Sequence, residues 1–265
     1  MKKLSLHLLA LMTAWSFAIA QTPAPSAAPA APAPAQKVDA SAAIVKPGEP
    51  FQRRHESFLA RGKAGPIGVL FLGDSITEGW GNAARAHIWE KYYGQWQPAN
   101  FGIGGDQTQH VIWRIENGEL DGIKPKVVVL MIGTNNTGNN GHNAEEIAAA
   151  DKKIVGLIRA KIPEAKVLLL AIFPRGASKN RQTGLITEAA IAGAERQRAI
   201  INAANAQLAK LDDGKNVRFL DIGAGFLGQD GKIPFSIMND QLHLSPAGYQ
   251  LWADAMQPLL SEMMK

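Results

Sequence analysis

Four short apolar runs, rich in branched residues, recur along the chain and constrain its fold more than any other feature. They are IGVLFL (67–72), KVVVLMI (126–132), KVLLLAI (166–172) and VRFLDI (217–222). Each run is apolar on both faces, a pattern typical of parallel strands buried between two layers of helices. A weaker run, QPANF (97–101), predicts a further strand between the first two.

The segments between these runs have helical patterns. Residues 144–162 place apolar side chains on one face, and Asn143 before them is a candidate N-cap. Residues 187–211 are rich in Ala, Glu, Gln and Arg. The last helix is expected to begin at Pro246 with Ser245 as its N-cap. Alternation of strands and helices predicts an α/β fold, a three-layer α/β/α sandwich with a central parallel sheet.

The beginning of the chain has the pattern of a secretory signal peptide. Lys2 and Lys3 precede a short apolar stretch that closes on Ala18-Ile19-Ala20, with small residues at the −3 and −1 positions. We therefore expect residues 1–20 to be removed after Ala20 and the protein to be periplasmic or secreted. The alternative, a membrane anchor, fits less well because polar residues interrupt the apolar stretch and it is short for a span.

Residues 21–49 form a candidate linker, of which 21–36 are almost entirely Pro and Ala. Such a segment lacks the apolar bulk for a core and is expected to be a semi-rigid, extended tether. It could be an idle spacer, or it could position the protein in the cell envelope. From about Pro50 the composition is globular, so we assign residues 50–265 to one domain.

The composition of the chain excludes some classes of site and gives no indication of some kinds of partner. The chain has no cysteine, which excludes a thiol nucleophile and cysteine-based zinc sites. Removal of the signal peptide lowers the Lys+Arg count from 28 to 26 against 23 acidic residues, a net charge of +3. This excess of positive charge is too small to indicate nucleic acid or a membrane surface as a partner. Apart from the apolar stretch in residues 1–20, no segment of the sequence is apolar enough to span a bilayer.

Chemistry-bearing residues follow the predicted strands, where ligand sites of open parallel sheets form. These segments are Gly73-Asp74-Ser75, GIGGD (102–106), GTNN (133–136) and NDQLHLSPAG (239–248). Each is weak alone: the glycine-rich segments could be ordinary turns, Asp74 more simply shapes its turn, and a lone Asp-x-x-His is usually structural. GIGGD is not a dinucleotide fingerprint, because Gln107 replaces the third glycine.

Taken together, the four segments supply the parts of one acyl-transfer site. The Ser75 hydroxyl needs a base to become nucleophilic, and histidine is the side chain whose ordinary pKa suits that role, which makes His243 the candidate. Asp240, three residues earlier, could fix the tautomer of His243. The backbone N–H of Gly105 and the side-chain amide of Asn135 could donate to a tetrahedral oxyanion.

At this point the chain resembles the SGNH (GDSL-type) hydrolases, and within them the catalytic subunits of the platelet-activating-factor acetylhydrolase Ib group. The resemblance runs from about Gln52 to the end and is carried by five ordered blocks: FLGDSITEGW, NFGIGGDQTQHVIWRIENGEL, KPKVVVLMIGTNNTGNN, AIFPRG and DQLHLSPAGY.

The resemblance implies a flavodoxin-like fold, no metal or organic cofactor, and hydrolysis of esters with small acyl groups. By the family pattern, Ser75 is the nucleophile and also an oxyanion donor through its N–H. Gly105 and Asn135 are the other oxyanion donors, His243 is the base and Asp240 its partner. The chain departs from the eukaryotic relatives in longer segments at 81–94 and 177–197. Their lipid substrate and their dimerisation therefore do not transfer, and a homodimer stays an open alternative.

The leading hypothesis is an exported serine esterase that removes acetyl or other short acyl groups from a small-molecule or glycan ester, such as an O-acetylated carbohydrate. A second hypothesis keeps the machinery for longer acyl chains, as a lysophospholipase or thioesterase. A third is a non-catalytic module that binds envelope glycans, although retention of Ser75, Asp240 and His243 argues against it. An acyltransferase is a further alternative that product analysis would separate.

Overall fold

A computed structural model describes residues 38–139 and 141–265. The predicted signal peptide and the Pro/Ala-rich part of the linker lie outside the described residues. In the described part of the chain, no helix combines the length and the hydropathy needed to cross a membrane.

Five strands form one sheet in the order β2-β1-β3-β4-β5, and all four pairings are parallel. The strands are β1 (Val69–Gly73), β2 (Pro98–Gly102), β3 (Val127–Met131), β4 (Lys166–Leu170) and β5 (Val217–Leu220). All five coincide with the predicted runs, including the weak one at 97–101. The four strong runs extend one or two residues further than the strands at one or both ends.

Eight α-helices accompany the strands in the described residues. They are α1 (Glu49–Lys63), α2 (Ser75–Glu78), α3 (Ala86–Tyr93), α4 (Thr108–Glu116), α5 (Asn136–Asn139), α6 (Ala144–Lys161), α7 (Glu188–Leu208) and α8 (Pro246–Met263). The three predicted helices are confirmed as α6, α7 and α8, with Asn143 and Ser245 as N-caps. The sequence patterns did not predict the other five helices, two of which span only four residues and so show no periodicity.

The sheet lies between two separate apolar cores, which makes the structure a three-layer α/β/α sandwich. On β3, Val128 and Leu130 pack into the core that includes α1, α4, α6 and α7, whereas Val127 and Val129 pack into the core that includes α3 and α8. Because successive strand residues point to opposite faces, both faces of β3 are covered, and all five of its residues are apolar and buried. The predicted fold class is therefore confirmed.

The strand order has its switch point between β1 and β3. The chain runs from β1 outward to β2 on one side and then returns to build β3, β4 and β5 on the other. At such a switch point, the loops after the two neighbouring strands diverge and leave room for a ligand. The segment Gly73-Asp74-Ser75 follows β1, and GTNN (133–136) follows β3.

Residues 38–48, here called the N-terminal arm, lie against the sandwich near α4. The hydroxyl of Thr108 donates to the Ala40 carbonyl at 2.9 Å, and the Ile44 N–H donates to the Gln109 carbonyl at 3.2 Å. His142 Nε2 lies 2.6 Å from the Val38 carbonyl oxygen. Composition placed these residues in the linker 21–49, but the arm itself is in hydrogen-bonded contact with the domain.

Candidate active site

Ser75 stands where the buried strand β1 turns directly into α2. The N-cap of that helix is Asp74, whose Oδ1 accepts a hydrogen bond from the Ile76 N–H at 2.9 Å, so its predicted role in shaping the turn is confirmed. Ser75 is the first helical residue, and the first N–H groups of a helix have no partner within it. The Ser75 N–H is therefore a candidate donor beside its own hydroxyl.

The structure brings Ser75, His243 and Asp240 into one hydrogen-bonded chain. Ser75 Oγ lies 2.8 Å from His243 Nε2, although the two residues are 168 positions apart in the sequence. On the other side of the ring, His243 Nδ1 lies 2.6 Å from Asp240 Oδ2. Burial raises the pKa of Asp240, but hydrogen bonds from the His243 ring and from backbone N–H groups outweigh it and hold the pKa below its usual value. Asp240 is therefore ionised near neutral pH and can hold the ring with Nδ1 protonated and Nε2 free to accept the serine proton.

The loop that carries Asp240 and His243 is fixed by Gln241. This residue has a left-handed backbone conformation (φ 65°), and its buried side-chain amide donates to the carbonyls of Ile233 and Met238 at 3.1 and 3.0 Å. Its own carbonyl accepts from the Gly176 N–H at 2.8 Å, in the segment after β4. The sequence alone does not indicate this role of Gln241, because neither its burial nor its backbone conformation leaves a signal there.

The predicted oxyanion donors lie on two loops that are tied together. Asn135 Nδ2 donates to the Asp106 carbonyl at 2.8 Å, and Gln107 Nε2 donates back to the Asn135 carbonyl at 3.1 Å. Gly105 has a φ of 74°, and its neighbour Gly104 approaches the nucleophile so closely that an added Cβ would lie 3.8 Å from Ser75 Cβ. The Asn135 amide carries a second N–H, which the contact with the Asp106 carbonyl does not use.

A buried ionic cluster lies beneath these loops. The guanidinium of Arg114 is fully buried, and its Nε lies 3.1 Å from Asp106 Oδ2 while Nη1 donates to Glu119 Oε1 at 2.9 Å. The same group donates to the carbonyls of Phe101 and Gly73, at the ends of β2 and β1, at 2.9 and 3.3 Å. Arg114 therefore connects both strand ends to the oxyanion loop. The sequence alone does not predict this cluster, since charged residues ordinarily indicate exposed surface.

Burial shifts the pKa of several titratable groups in this region, among them Asp74, Asp106 and His110. It raises the pKa of Asp74 to about 7, against the hydrogen bond from the Ile76 N–H and with the help of the nearby Asp106 charge. It raises the pKa of Asp106 to about 6, against the attraction of Arg114 and Lys46. The pKa of His110 falls to about 4 through burial and through repulsion by the same two cations. Such perturbed groups are common at functional sites.

An apolar cleft of about 570 Å³ lies beside the Asp240–His243 loop. Its lining includes Ile186 and Ile191 from the long segment 177–197, together with Phe235 and Gln241. The first three side chains are exposed, which leaves apolar surface open to a ligand. In the described parts of the chain, no three His, Asp or Glu side chains converge in a way that could hold a metal ion.

Comparisons with known proteins identify the family to which the chain belongs. The sequence model of the GDSL-like lipase/acylhydrolase family matches residues 71–251. The human platelet-activating factor acetylhydrolase IB subunit alpha1 is 38% identical over 216 residues, which cover 79% of this chain and 82% of the relative. The rat subunit alpha2 is 37% identical over 217 residues, covering 81% of this chain and 85% of the relative.

Solved structures show the same fold at lower identity. A protein from Bacteroides fragilis described as an acylhydrolase has a TM-score of 0.62 at 20% identity, covering 79% of this chain and 97% of its own. A Streptococcus protein described as a platelet activating factor has a TM-score of 0.61 at 23% identity, and the match covers 79% of this chain and 92% of that protein. The chain therefore belongs to the GDSL-like lipase/acylhydrolase family, the SGNH hydrolases, and is a carboxylic ester hydrolase close to the platelet-activating-factor acetylhydrolase Ib group.

Proposed function

We propose that the protein is an exported serine esterase that removes acetyl or other short acyl groups through Ser75, His243 and Asp240. The observation that carries the proposal is the hydrogen-bonded chain from Ser75 Oγ through the His243 ring to Asp240, with distances of 2.8 and 2.6 Å. A hydroxyl held against an imidazole in this way, with a carboxylate behind it, is the arrangement that activates a serine nucleophile.

The reaction follows from these contacts. Ser75 Oγ attacks the ester carbonyl carbon while His243 Nε2 takes the hydroxyl proton. The carbonyl oxygen becomes an oxyanion, which accepts hydrogen bonds from the N–H groups of Ser75 and Gly105 and from the Asn135 amide. Collapse of this intermediate breaks the bond to the alcohol, which leaves with the proton from His243. Water then attacks the acyl-serine carbonyl carbon and gives a proton to His243. The bond between that carbon and Ser75 Oγ breaks, Oγ takes the proton back from His243, and the carboxylic acid is released.

The short acyl group is supported by the relatives at 37–38% identity, whose names describe them as acetylhydrolases. The alcohol half of the ester is inferred from the predicted export signal in residues 1–20. A periplasmic or secreted enzyme meets the glycans of the cell envelope and of the medium, so O-acetylated carbohydrates are the proposed substrates. N-terminal sequencing of protein from the periplasm or medium tests the export step, with Gln21 expected as the first residue.

A second candidate is hydrolysis of esters or thioesters with long acyl chains. The apolar cleft beside the Asp240–His243 loop favours it, because Ile186, Ile191 and Phe235 could pack against an alkyl chain. Its volume falls within the range of ordinary ligand pockets, roughly 300–1,000 Å³.

Acyl-length profiling of purified mature protein separates the two candidates. We expect aryl esters to be hydrolysed fastest with acetyl to butyryl groups, and acetylated sugars to release acetate. A rate that rises steadily toward dodecanoyl esters, or turnover of lysophospholipids alone, would favour the second candidate. Ser75→Ala should lower kcat by several orders of magnitude, since members of a triad act as a unit. The matched control is Ser57→Ala, which removes an exposed hydroxyl whose hydrogen bond stays within α1.

A fluorophosphonate probe tests the third hypothesis, that of a non-catalytic binding module. The probe should label Ser75 in the folded wild-type protein and leave Ser75→Ala unlabelled. Absence of both labelling and turnover in a folded, glycan-binding wild-type protein would support the binding module instead.

A further inference from the structure

Lys46 brings a cation from the N-terminal arm to the predicted oxyanion loop. Its Nζ donates a hydrogen bond to the Gly104 carbonyl and lies 3.4 Å from Asp106 Oδ1. A Cβ added to Gly105 would lie 3.2 Å from the same nitrogen. The Lys46 side chain is only 25% exposed, so most of it is packed against the domain.

The contacted carbonyl belongs to the peptide group that supplies the Gly105 N–H. In a trans peptide the C=O and N–H bonds point in opposite directions. A partner that holds the Gly104 oxygen on one side therefore directs the Gly105 N–H to the other side. Gly104 itself lies next to Ser75, as the 3.8 Å separation of an added Cβ from Ser75 Cβ shows.

The β-turn that contains the Gly104–Gly105 peptide does not by itself fix the direction in which this peptide points. A partner such as Lys46, which holds the Gly104 carbonyl, can therefore fix it. The Asp106 N–H donates to the Ile103 carbonyl at 3.1 Å, so Gly104 and Gly105 are the central residues of a β-turn. Gly105 has a φ of 74° and Gly104 has no positive φ, which is the type II form. Types I and II differ in the direction of this central peptide, and a flip between them would turn the Gly105 N–H away.

We infer that Lys46 is a positioning residue for the oxyanion hole, holding the Gly104–Gly105 peptide so that the Gly105 N–H faces the reacting carbonyl beside Ser75. The inference rests on the proposed esterase function. The ammonium also polarises the peptide, because a charged donor on the carbonyl strengthens the hydrogen bond given by the N–H of the same group. The effect is largest when the oxyanion forms.

Contacts along the arm fix the place from which Lys46 reaches the loop. Ala40 and Ile44 are hydrogen-bonded to Thr108 and Gln109 in α4. On the outer side, Lys153 Nζ donates to the Ser41 carbonyl at 2.9 Å. The N-terminal arm thus contributes a positioning residue, Lys46, to the proposed esterase site, although composition alone assigns the arm to the linker.

The absence of cysteine from the whole chain allows a direct test. In the full mature protein, Lys46→Cys removes the ammonium, and 2-bromoethylamine then restores one: the thiolate displaces bromide, and the new C–S bond carries an aminoethyl group as long as the lysine side chain. Before alkylation we expect kcat to fall by about tenfold with little change in KM, because one of three donors is misdirected rather than removed. Alkylation should restore most of the lost kcat in the same folded sample.

Lys161→Cys is the matched control, since Lys161 is exposed and binds Asp121, a residue of neither the arm nor the site loops. Its kcat should stay within about twofold of wild type before and after alkylation, as should that of alkylated wild type. A wild-type kcat in Lys46→Cys would overturn the inference, as would an equal loss in Lys161→Cys or a loss that alkylation does not reverse. If Lys46→Cys does not fold, Lys46→Gln takes its place and must show the same kcat loss at unchanged KM. Ser75→Ala distinguishes a failure of the Lys46 inference from a failure of the proposed function. Activity in that variant would contradict the serine esterase mechanism itself.

Discussion

Both carboxylate oxygens of Asp240 bind His243. Oδ1 accepts the backbone N–H of His243 at 2.7 Å, and Oδ2 lies 2.6 Å from the ring Nδ1. The first contact fixes where the histidine backbone lies, and the second fixes which ring nitrogen carries the proton. One side chain therefore determines both the position and the tautomer of the proposed base.

Asp240→Asn should separate these two roles. The Asn oxygen can still accept the His243 N–H, but its amide would donate to Nδ1 and leave the proton on Nε2, facing Ser75. We expect kcat for an acetyl ester to fall by roughly 10³–10⁴, with stability little changed, as a reversed tautomer predicts. The control is Asp230→Asn, in which the same charge is lost from a turn where Asp230 accepts the Lys232 N–H. Activity within a few-fold of wild type in Asp240→Asn would exclude the tautomer role.

Asn135→Ala tests the side-chain donor of the proposed oxyanion hole. The variant loses both the contact with the Asp106 carbonyl and the N–H available to the oxyanion. We expect kcat to fall by about 10²–10³ while KM changes little, because the donor acts mainly in the transition state. Asn117→Ala, which removes an exposed amide bound to the Trp113 carbonyl, should leave both constants unchanged. A rise in KM at constant kcat would instead assign Asn135 to ground-state binding.

The sequence predicts the sheet and the loops of the site because the two leave strong, local signals. A run such as VVVLM can be apolar at every position only if both faces are covered, and a polar segment directly after it lies at the ligand-binding edge of the sheet. The structure accordingly brings Ser75, Asp240 and His243 into contact from distant parts of the chain.

The supporting residues leave no such signal. Arg114, Asp106 and Glu119 resemble surface residues in the sequence, and only their pairing inside the fold explains their complete burial. Lys46 lies in a segment whose neighbours are rich in Pro and Ala, and its contact with Gly104 depends on the path of the arm. Arg114 and Glu119 are close in sequence, but their burial depends on how the fold covers them, and the Lys46–Gly104 contact joins residues 58 positions apart.

Arg114→Met should be strongly destabilising. It takes the guanidinium away from the buried carboxylates of Glu119 and of Asp106, which keeps only Lys46, and it removes donors from the ends of β1 and β2. We expect the free energy of unfolding, measured with urea, to fall by about 3–5 kcal/mol, as for other buried pairs that lose one partner. Arg114→Lys should recover only part of this loss, because one ammonium cannot replace the forked contacts.

Arg218→Met provides the comparison for Arg114, since Arg218 pairs with Asp212 and Glu262 in a partly exposed position. Its loss should cost no more than about 1 kcal/mol. Similar losses in the two variants would show that burial of the Arg114 cluster carries no special energetic weight.

Asp74 should make the stability of the protein depend on pH near neutrality. Burial raises its pKa from 3.8 to about 7, so the folded state binds the proton more tightly than the unfolded state does. Its contribution to stability is complete below the unfolded pKa and is lost as the pH rises through about 7. Asp74→Asn removes this titration while keeping the oxygen that accepts the Ile76 N–H. The free energy of unfolding of wild type minus that of the variant should therefore decrease between about pH 5 and about pH 8.

Asp213→Asn distinguishes this effect from a general response of carboxylates. Hydrogen bonds from backbone N–H groups, the Val217 N–H first among them, hold the pKa of Asp213 below its usual value. The charge of Asp213 therefore stabilises the fold above the unfolded pKa, and that contribution is lost only as the pH falls through the lower folded value. Across the same neutral range its difference curve should be flat. The measurement is the free energy of unfolding of wild type, Asp74→Asn and Asp213→Asn in urea at several pH values. Parallel plots of this free energy against pH for Asp74→Asn and wild type would mean that the Asp74 carboxyl does not hold its proton in the folded state.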